Sequence, residues 1–416
     1  MRRFPALVFA ACATFSAPAV FAQVTVLTHA TVIDGTGRAA ARDTTIVMSA
    51  GRIAAMGPAA KTKAPAGAVV IDLTGKFIIP GIFDLHTHLS IDTPAKIAMY
   101  GHYGVTSAIG MGGDGDPVLK LRDAQRAAGN PATGGARIYT VQQRFEFETG
   151  GAAEARTMVA ALADKHVDAV KVVVDDRRGK AVKLPRDFAA AVIDEAHKRH
   201  LKALAHIHDL EDARFLVTSG IDMLAHQVRD QEVDDAFIAE LKKRNVTITS
   251  TLTRELSDYC WADSPEFLND PFLAKFMPAA RLAQLRGEFK DRQAANPEIL
   301  LNRRDFEIAA KNLKKMHAAG VRIGFGTDSG NGNPRLEGYF DHLEMEYMVK
   351  YGGMTPMEVI TAFSKVNTET LGVDKDYGTL AKGKVADLLV LDKNPLDDIT
   401  NTKSLRTVYI GGRKFE

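Results

Sequence analysis

Two histidines one residue apart, His86 and His88 in GIFDLHTH, open a set of side chains suited to a metal ion. Alternate residues of a strand share a face, so both imidazoles can point the same way. His206 in KALAHIHD and His226 in DMLAHQ each close a further apolar run. Neutral imidazole is a common nitrogen ligand for zinc and similar ions. Asp328, in GFGTDSG, can bind such an ion and take a proton from the water it activates. It can equally be a turn residue before Ser329 and Gly330.

Lys171 is the unusual member. It interrupts VDAVKVVVDD, a run apolar enough to be buried. Burial disfavours the ammonium and lowers its pKa. A neutral amine can capture carbon dioxide and become a carbamate that bridges two cations. The alternative is an ammonium paired with Asp175, Asp176 or Asp328. His208 shares a face with His206 and can contact a substrate instead of a metal.

The elements that must position these residues are legible as alternation. Apolar runs of strand type fall at 78–85, 105–111, 137–141, 168–174, 202–207, 222–226, 246–252 and 321–326. Helical segments such as PRDFAAAVIDEAHKRH separate most of them. Near-continuous apolar runs suit buried parallel strands. The pattern predicts a (β/α)8 barrel over residues 77–376, with function at the C-terminal ends of its strands. A doubly wound open sheet is the rival, but no Gly-rich phosphate loop follows any run. Residues 254–310, with the only tryptophan, Trp261, read either as an insertion over the barrel mouth or as an ordinary thickened βα unit. Thr355-Pro356-Met357-Glu358 has capping-box spacing and predicts a helix start. Residues 23–76 and 377–416 alternate like strands and predict one small β-sandwich built from both ends of the chain.

Residues 1–22 read as a signal peptide, with Arg2 and Arg3 ahead of an apolar stretch and Val20 and Ala22 before the cleavage site. That stretch is short and broken by Pro5, Ser16 and Pro18, against a stable membrane anchor. The expectation is an exported protein, periplasmic or secreted. Without Arg2 and Arg3, 51 basic residues face 51 acidic ones. Nothing in that balance points to nucleic acid or an anionic membrane. Cys12 leaves with the signal and Cys260 is then alone, so no intrachain disulfide can form.

Taken together, the phrase IIPGIFDLHTH, Lys171, His206, His226, Asp328 and the tail GTLAKGKVADLLVLDKNPL resemble the amidohydrolase superfamily of metal-dependent hydrolases. The short spacing from His206 to His226 is similar to the imidazolonepropionase-like and prolidase-like branch. The resemblance implies two divalent ions, zinc first among the ions such ligands suit. His86 and His88 would hold the more buried ion with Asp328, and His206 and His226 the more exposed one. Lys171, carboxylated on Nζ, would bridge them together with a hydroxide that attacks the scissile carbonyl, while Asp328 shuttles the proton.

The implied substrate is a small amide, a dipeptide or an N-acyl amino acid. A free carboxylate on it would want an arginine, and Arg254, Arg229 and Arg144 follow the strand ends. Tyr103 is a further substrate candidate. Members of the superfamily often associate, so a homo-oligomer is expected. A mononuclear deaminase or cyclic-amide hydrolase is the first rival: His206-Ile207-His208-Asp209 resembles its phrase, with Asp where that pattern has Glu. An inactive structural homologue is the second, disfavoured because all six ligand positions are filled.

Overall fold

A computed structural model describes residues 23–90, 92–128, 134–330 and 334–416. The signal read at 1–22 lies outside the described residues. Five strands come from the leading segment: β1 (Thr25–Val32), β2 (Ala41–Ser49), β3 (Arg52–Pro58), β4 (Val69–Asp72) and β5 (Phe77–Pro80). Nine follow through the middle: β6 (Ile82–Thr87), β7 (Val105–Gly110), β8 (Arg137–Thr140), β9 (Arg144–Phe145), β10 (Ala169–Val174), β11 (Lys202–Ile207), β12 (Met223–Ala225), β13 (Thr247–Ser250) and β14 (Ile323–Phe325). The last three are β15 (Leu388–Leu391), β16 (Leu405–Ile410) and β17 (Arg413–Phe415).

Each of the eight apolar runs yields a strand. They lie in two parallel sheets, β6-β7-β8 and β9 through β14 in sequential order. That order never reverses, so the switch point of a doubly wound sheet is missing. Among the described residues the ladders do not join into one closed barrel; hydrogen bonds span the two seams instead. At one seam Asp168 N donates to Thr140 O at 2.9 Å, and Thr140 N donates to the Asp168 carboxylate at 2.9 Å. At the other, the Asn367 amide donates to Phe83 O and Phe325 O, both at 2.7 Å. A parallel bridge from Thr87 to Ser329 extends that second seam toward the strand ends.

Strand alternation sorts the side chains. On β10, Val170, Val172 and Val174 pack outward into the core shared with the helices, while Ala169 faces the interior cluster. Lys171 shares the inward parity of Ala169. On β11, Leu204 faces inward and Ala203, Ala205 and Ile207 outward, which gives His206 the inward side. Met223 and Ala225 of β12 complete the same inner layer. Burial of these aliphatic side chains, roughly 1.5–3 kcal/mol each for the larger ones, fixes the strand ends that carry the polar groups.

The two ends of the chain meet in one mixed eight-stranded hydrogen-bonded sheet. Its order is β17-β16-β15-β5-β1-β2-β3, with β4 on β1. The run 78–85 is divided at Gly81: β5 pairs antiparallel with β15, and β6 begins the parallel sheet. Gly81 is needed there, because a Cβ would stand 2.3 Å from the Thr106 side chain. The predicted capping box at Thr355 and Glu358 forms, starting the helix Pro356–Thr361. The 254–310 segment folds as short helices leading into Ile299–Ala318, with Trp261 fully buried and stacked on Phe340.

Candidate metal centre

The inward-facing residues at the strand ends converge. His86, His226 and Asp328 each offer a donor atom, and those atoms lie within 4.8 Å of one another. All three side chains are buried. Two imidazole nitrogens, His86 Nδ1 and His226 Nε2, are buried without a hydrogen-bond partner. Buried polar atoms are normally satisfied, so an unpaired pair beside a carboxylate is what an ion would complete. The donor set fits a divalent metal.

The backbone is bent to make this cluster. His226 and Asp328 both sit at left-handed φ, 73° and 56°, where non-glycine residues are uncommon. Gly330, at φ +90°, lets the chain after Asp328 run against His88; a Cβ there would stand 2.2 Å from His88 O. Asp328 N donates to His86 O at 2.7 Å and His88 N to Ser329 O at 2.8 Å, which locks the first and last strand ends together.

Electrostatics keep the donors in their ligating forms. Burial holds the His86 and His226 imidazoles well below their usual pKa, and lowers that of His206 to about 3. All three are neutral at pH 7. Burial pushes the Asp328 carboxyl up, but the Arg335 guanidinium and the His86 and His88 contacts outweigh it and leave Asp328 well below the carboxylate range. Burial brings Lys171 down to about 7, with Asp328 opposing and Arg144 adding to the effect. Among the described residues no carboxylate forms an ion pair with it, so the structural reading of Lys171 as half of a buried pair is not what the fold builds.

The grouping differs from the expected one. His88 Nε2 lies 2.8 Å from Asp328 Oδ1 and joins the rim of the cluster. His206 Nε2 is 2.9 Å from Asp175 Oδ2, although its ring packs edge-on against His226 at 4.6 Å. His208 lines the same cavity, held between Asp209 at 2.7 Å and Asp305 at 3.1 Å.

A cavity of about 540 Å³ opens above these residues, and Arg144, Arg229 and Arg254 line it. Tyr103 does not. Its hydroxyl donates to Leu273 O at 2.9 Å, and its ring packs edge-on against Phe272 and Phe276. Tyr103 therefore anchors the insertion rather than contacting the cavity. Asp209 is paired with Lys183 at 2.8 Å and with the cavity-lining His208 at 2.7 Å.

Two participants, Arg335 and Asp305, escape the sequence reading of the site, and a third, Asp175, enters it only as an alternative partner for Lys171. Asp175 stands just past the end of β10, the position where functional groups gather, and that rule could have found its link to His206. Arg335, 2.5 Å from Asp328 Oδ2, follows β14 in an irregular loop whose spacing carries no periodic signal. Asp305 reaches His208 from the helix Ile299–Ala318.

The chain is similar to a Bifidobacterium longum protein assigned as a prolidase, with a TM-score of 0.75 and 27% identity over 95% of each chain. It is similar in fold to a Xaa-Pro dipeptidase with bound methionine, at a TM-score of 0.75 and 18% identity, covering 95% of this chain and all of that one. It also matches the ochratoxinase of Aspergillus niger at 26% identity over 232 residues; the match spans 54% of this chain and 40% of that enzyme's length. The Amidohydrolase family profile matches residues 77–414, so the chain belongs to the amidohydrolase family.

Proposed function

We propose that this chain is a metal-dependent hydrolase that cleaves the C–N amide bond of a small substrate, a dipeptide or an N-acyl amino acid. The observation that carries the reading is the buried donor cluster of His86, His226 and Asp328 beside Lys171, on the floor of a cavity lined by guanidinium groups. The likeness to a protein assigned as a prolidase and to ochratoxinase supports the amide bond as the target.

Divalent metal bound at the cluster supplies Lewis acidity toward a carbonyl and lowers the pKa of water. The protein supplies the rest. His86, His226 and Asp328 would hold the ion at the cluster, with His88 and His206 close enough to join as further nitrogen donors. Lys171, whose pKa burial lowers to about 7, is the residue whose amine could be carboxylated and would then add a further anionic donor. Asp328 holds its place through Arg335 and carries the proton from nucleophile to leaving amine. Export to a periplasmic or extracellular space, as residues 1–22 suggest, belongs to the same reading.

A single-ion version rests on the engagement of His206 with Asp175, which leaves one donor cluster among the described residues. The test for both is a screen of dipeptides and N-acyl amino acids with metal-loaded and chelator-stripped protein. Amide hydrolysis that requires metal is expected. Equal activity after stripping, or no amide hydrolysed by fully loaded protein, contradicts the proposal.

A further inference from the structure

The two ring nitrogens of His226 are treated differently. Nε2 lies 4.0 Å from Asp328 Oδ2 and is buried without a hydrogen-bond partner among the described residues. Nδ1 lies 2.7 Å from Thr251 Oγ1. His226 and Thr251 are both fully buried, so this contact is shielded from solvent.

Thr251 stands just past β13, at the capping position of the helix Leu252–Ser257. A threonine there ordinarily turns its hydroxyl onto the first backbone N–H groups of its helix. This one makes no such bond. Glu344, from the helix Tyr339–Lys350, accepts from those donors instead, Leu252 N at 3.0 Å and Thr253 N at 2.7 Å. The same carboxylate accepts from Ser250 Oγ at 2.6 Å and Thr253 Oγ1 at 2.9 Å, so it grips the chain on both sides of Thr251. With Glu344 capping the helix, the Thr251 hydroxyl is left to meet His226.

We propose that Thr251 is a positioning residue for the metal centre: its hydroxyl accepts the Nδ1 proton of His226 and so keeps the Nε2 lone pair turned to the ion, while Glu344 holds that hydroxyl in place. The inference rests on the metal-dependent reading above and adds two residues outside its ligand set. An ion on Nε2 leaves Nδ1 as the nitrogen that carries the proton of a neutral imidazole, and a buried N–H there needs an acceptor. Thr251 Oγ1 is the atom in place. The reverse tautomer puts the proton on Nε2, where no acceptor among the described residues meets it. A ring fixed in this way is oriented toward its ion and binds it more strongly. Thr251 does not line the reaction cavity, so it acts through His226 and not on the substrate.

The experiment titrates metal-stripped protein with zinc against a competing chelator, for the wild type, Thr251→Val, Thr251→Ser and Glu344→Gln. Valine keeps the shape of threonine and removes the acceptor, and zinc affinity should fall about 10- to 100-fold. Serine keeps the hydroxyl and should stay close to the wild type. Glu344→Gln turns an amide donor toward the helix N–H groups and should lower the affinity by less than valine does. Long-range NMR of zinc-loaded wild type, isotope-labelled in its histidines, should find the His226 proton on Nδ1, a readout that does not depend on how the variants fold. A merely structural Thr251 would lower the stability of the metal-free chain and leave the zinc affinity of the folded fraction unchanged. That result, an equal loss in Thr251→Ser, or a proton on Nε2 overturns the role of Thr251, and full affinity in Glu344→Gln overturns that of Glu344. A wild type that binds no zinc overturns the metal centre with them. Thr251-dependent zinc binding in a protein that hydrolyses no amide keeps the positioning role and contradicts the hydrolase reading instead.

Discussion

The parallel strands bury a cation at each end, and the two are treated in opposite ways. Arg137 opens β8 at the base, 2.6 Å from Asp387, and its guanidinium also lies over the Tyr377 ring at 4.6 Å. Its counterion comes from the segment leading into β15, so the pair ties the parallel strands to the end sheet. Asp387 and the neighbouring tyrosines outweigh burial and raise the pKa of Arg137. Lys171, near the mouth on β10, is as deeply buried and has no ion-pair partner among the described residues. Burial there wins and lowers its pKa to about 7. A cation that holds the fold together arrives with its carboxylate. One left without a carboxylate is kept near neutrality, where its amine is reactive.

Breaking the comparison at the mouth should have the largest effect. Asp328→Asn keeps the shape but removes the proposed proton carrier and the negative charge of the cluster, and kcat should fall about 1,000- to 10,000-fold in steady-state assays. Breaking it at the base should cost stability instead. Arg137→Leu leaves Asp387 buried and unpaired, a loss of about 3–5 kcal/mol by chemical denaturation. The folded fraction should retain its kcat. A large fall in kcat there would mean that the two ends of the strands are not separable.

Lys171→Met should lower the rate about 100-fold, the scale seen when support for a bound metal is lost. It should also change the pH dependence of stability in metal-free protein. The ordinary lysine value of 10.5 falls to about 7 for Lys171 in the folded chain, so the unfolded chain binds more protons between those limits. Stability therefore rises with pH across that window, and the cost of the buried lysine is gone above it. The Met variant should flatten this slope in urea titrations. The smallest effect belongs to Tyr103→Phe. It loses one hydrogen bond to Leu273 and about 1 kcal/mol, with KM unchanged. A raised KM would put Tyr103 back at the substrate.

Most of this layout was legible in the sequence, because burial and periodicity are local properties. Lys171 in a valine run had to face inward, and His86, His206, His226 and Asp328 had to end strands. What was not legible depends on contacts between distant segments. The pairing of His206 with Asp175, and of Asp328 with Arg335, follows from loop geometry that no spacing encodes. Tyr103 is near a strand end in sequence, but the helix Pro271–Phe276 covers it. The strand order by which the two end segments interleave in one sheet escaped for the same reason. β3 returns to Val385 through one isolated bridge at Arg52, which alternation alone cannot foresee.

The central claim is that Lys171 is part of a metal centre and not of the scaffold. Metal content per chain, measured by elemental analysis for wild type and Lys171→Ala purified side by side, tests it most directly. Two equivalents in the wild type are expected, with a loss of metal and rate together in the variant and partial recovery of both with a small carboxylic acid. Full metal content and full rate in Lys171→Ala would contradict it.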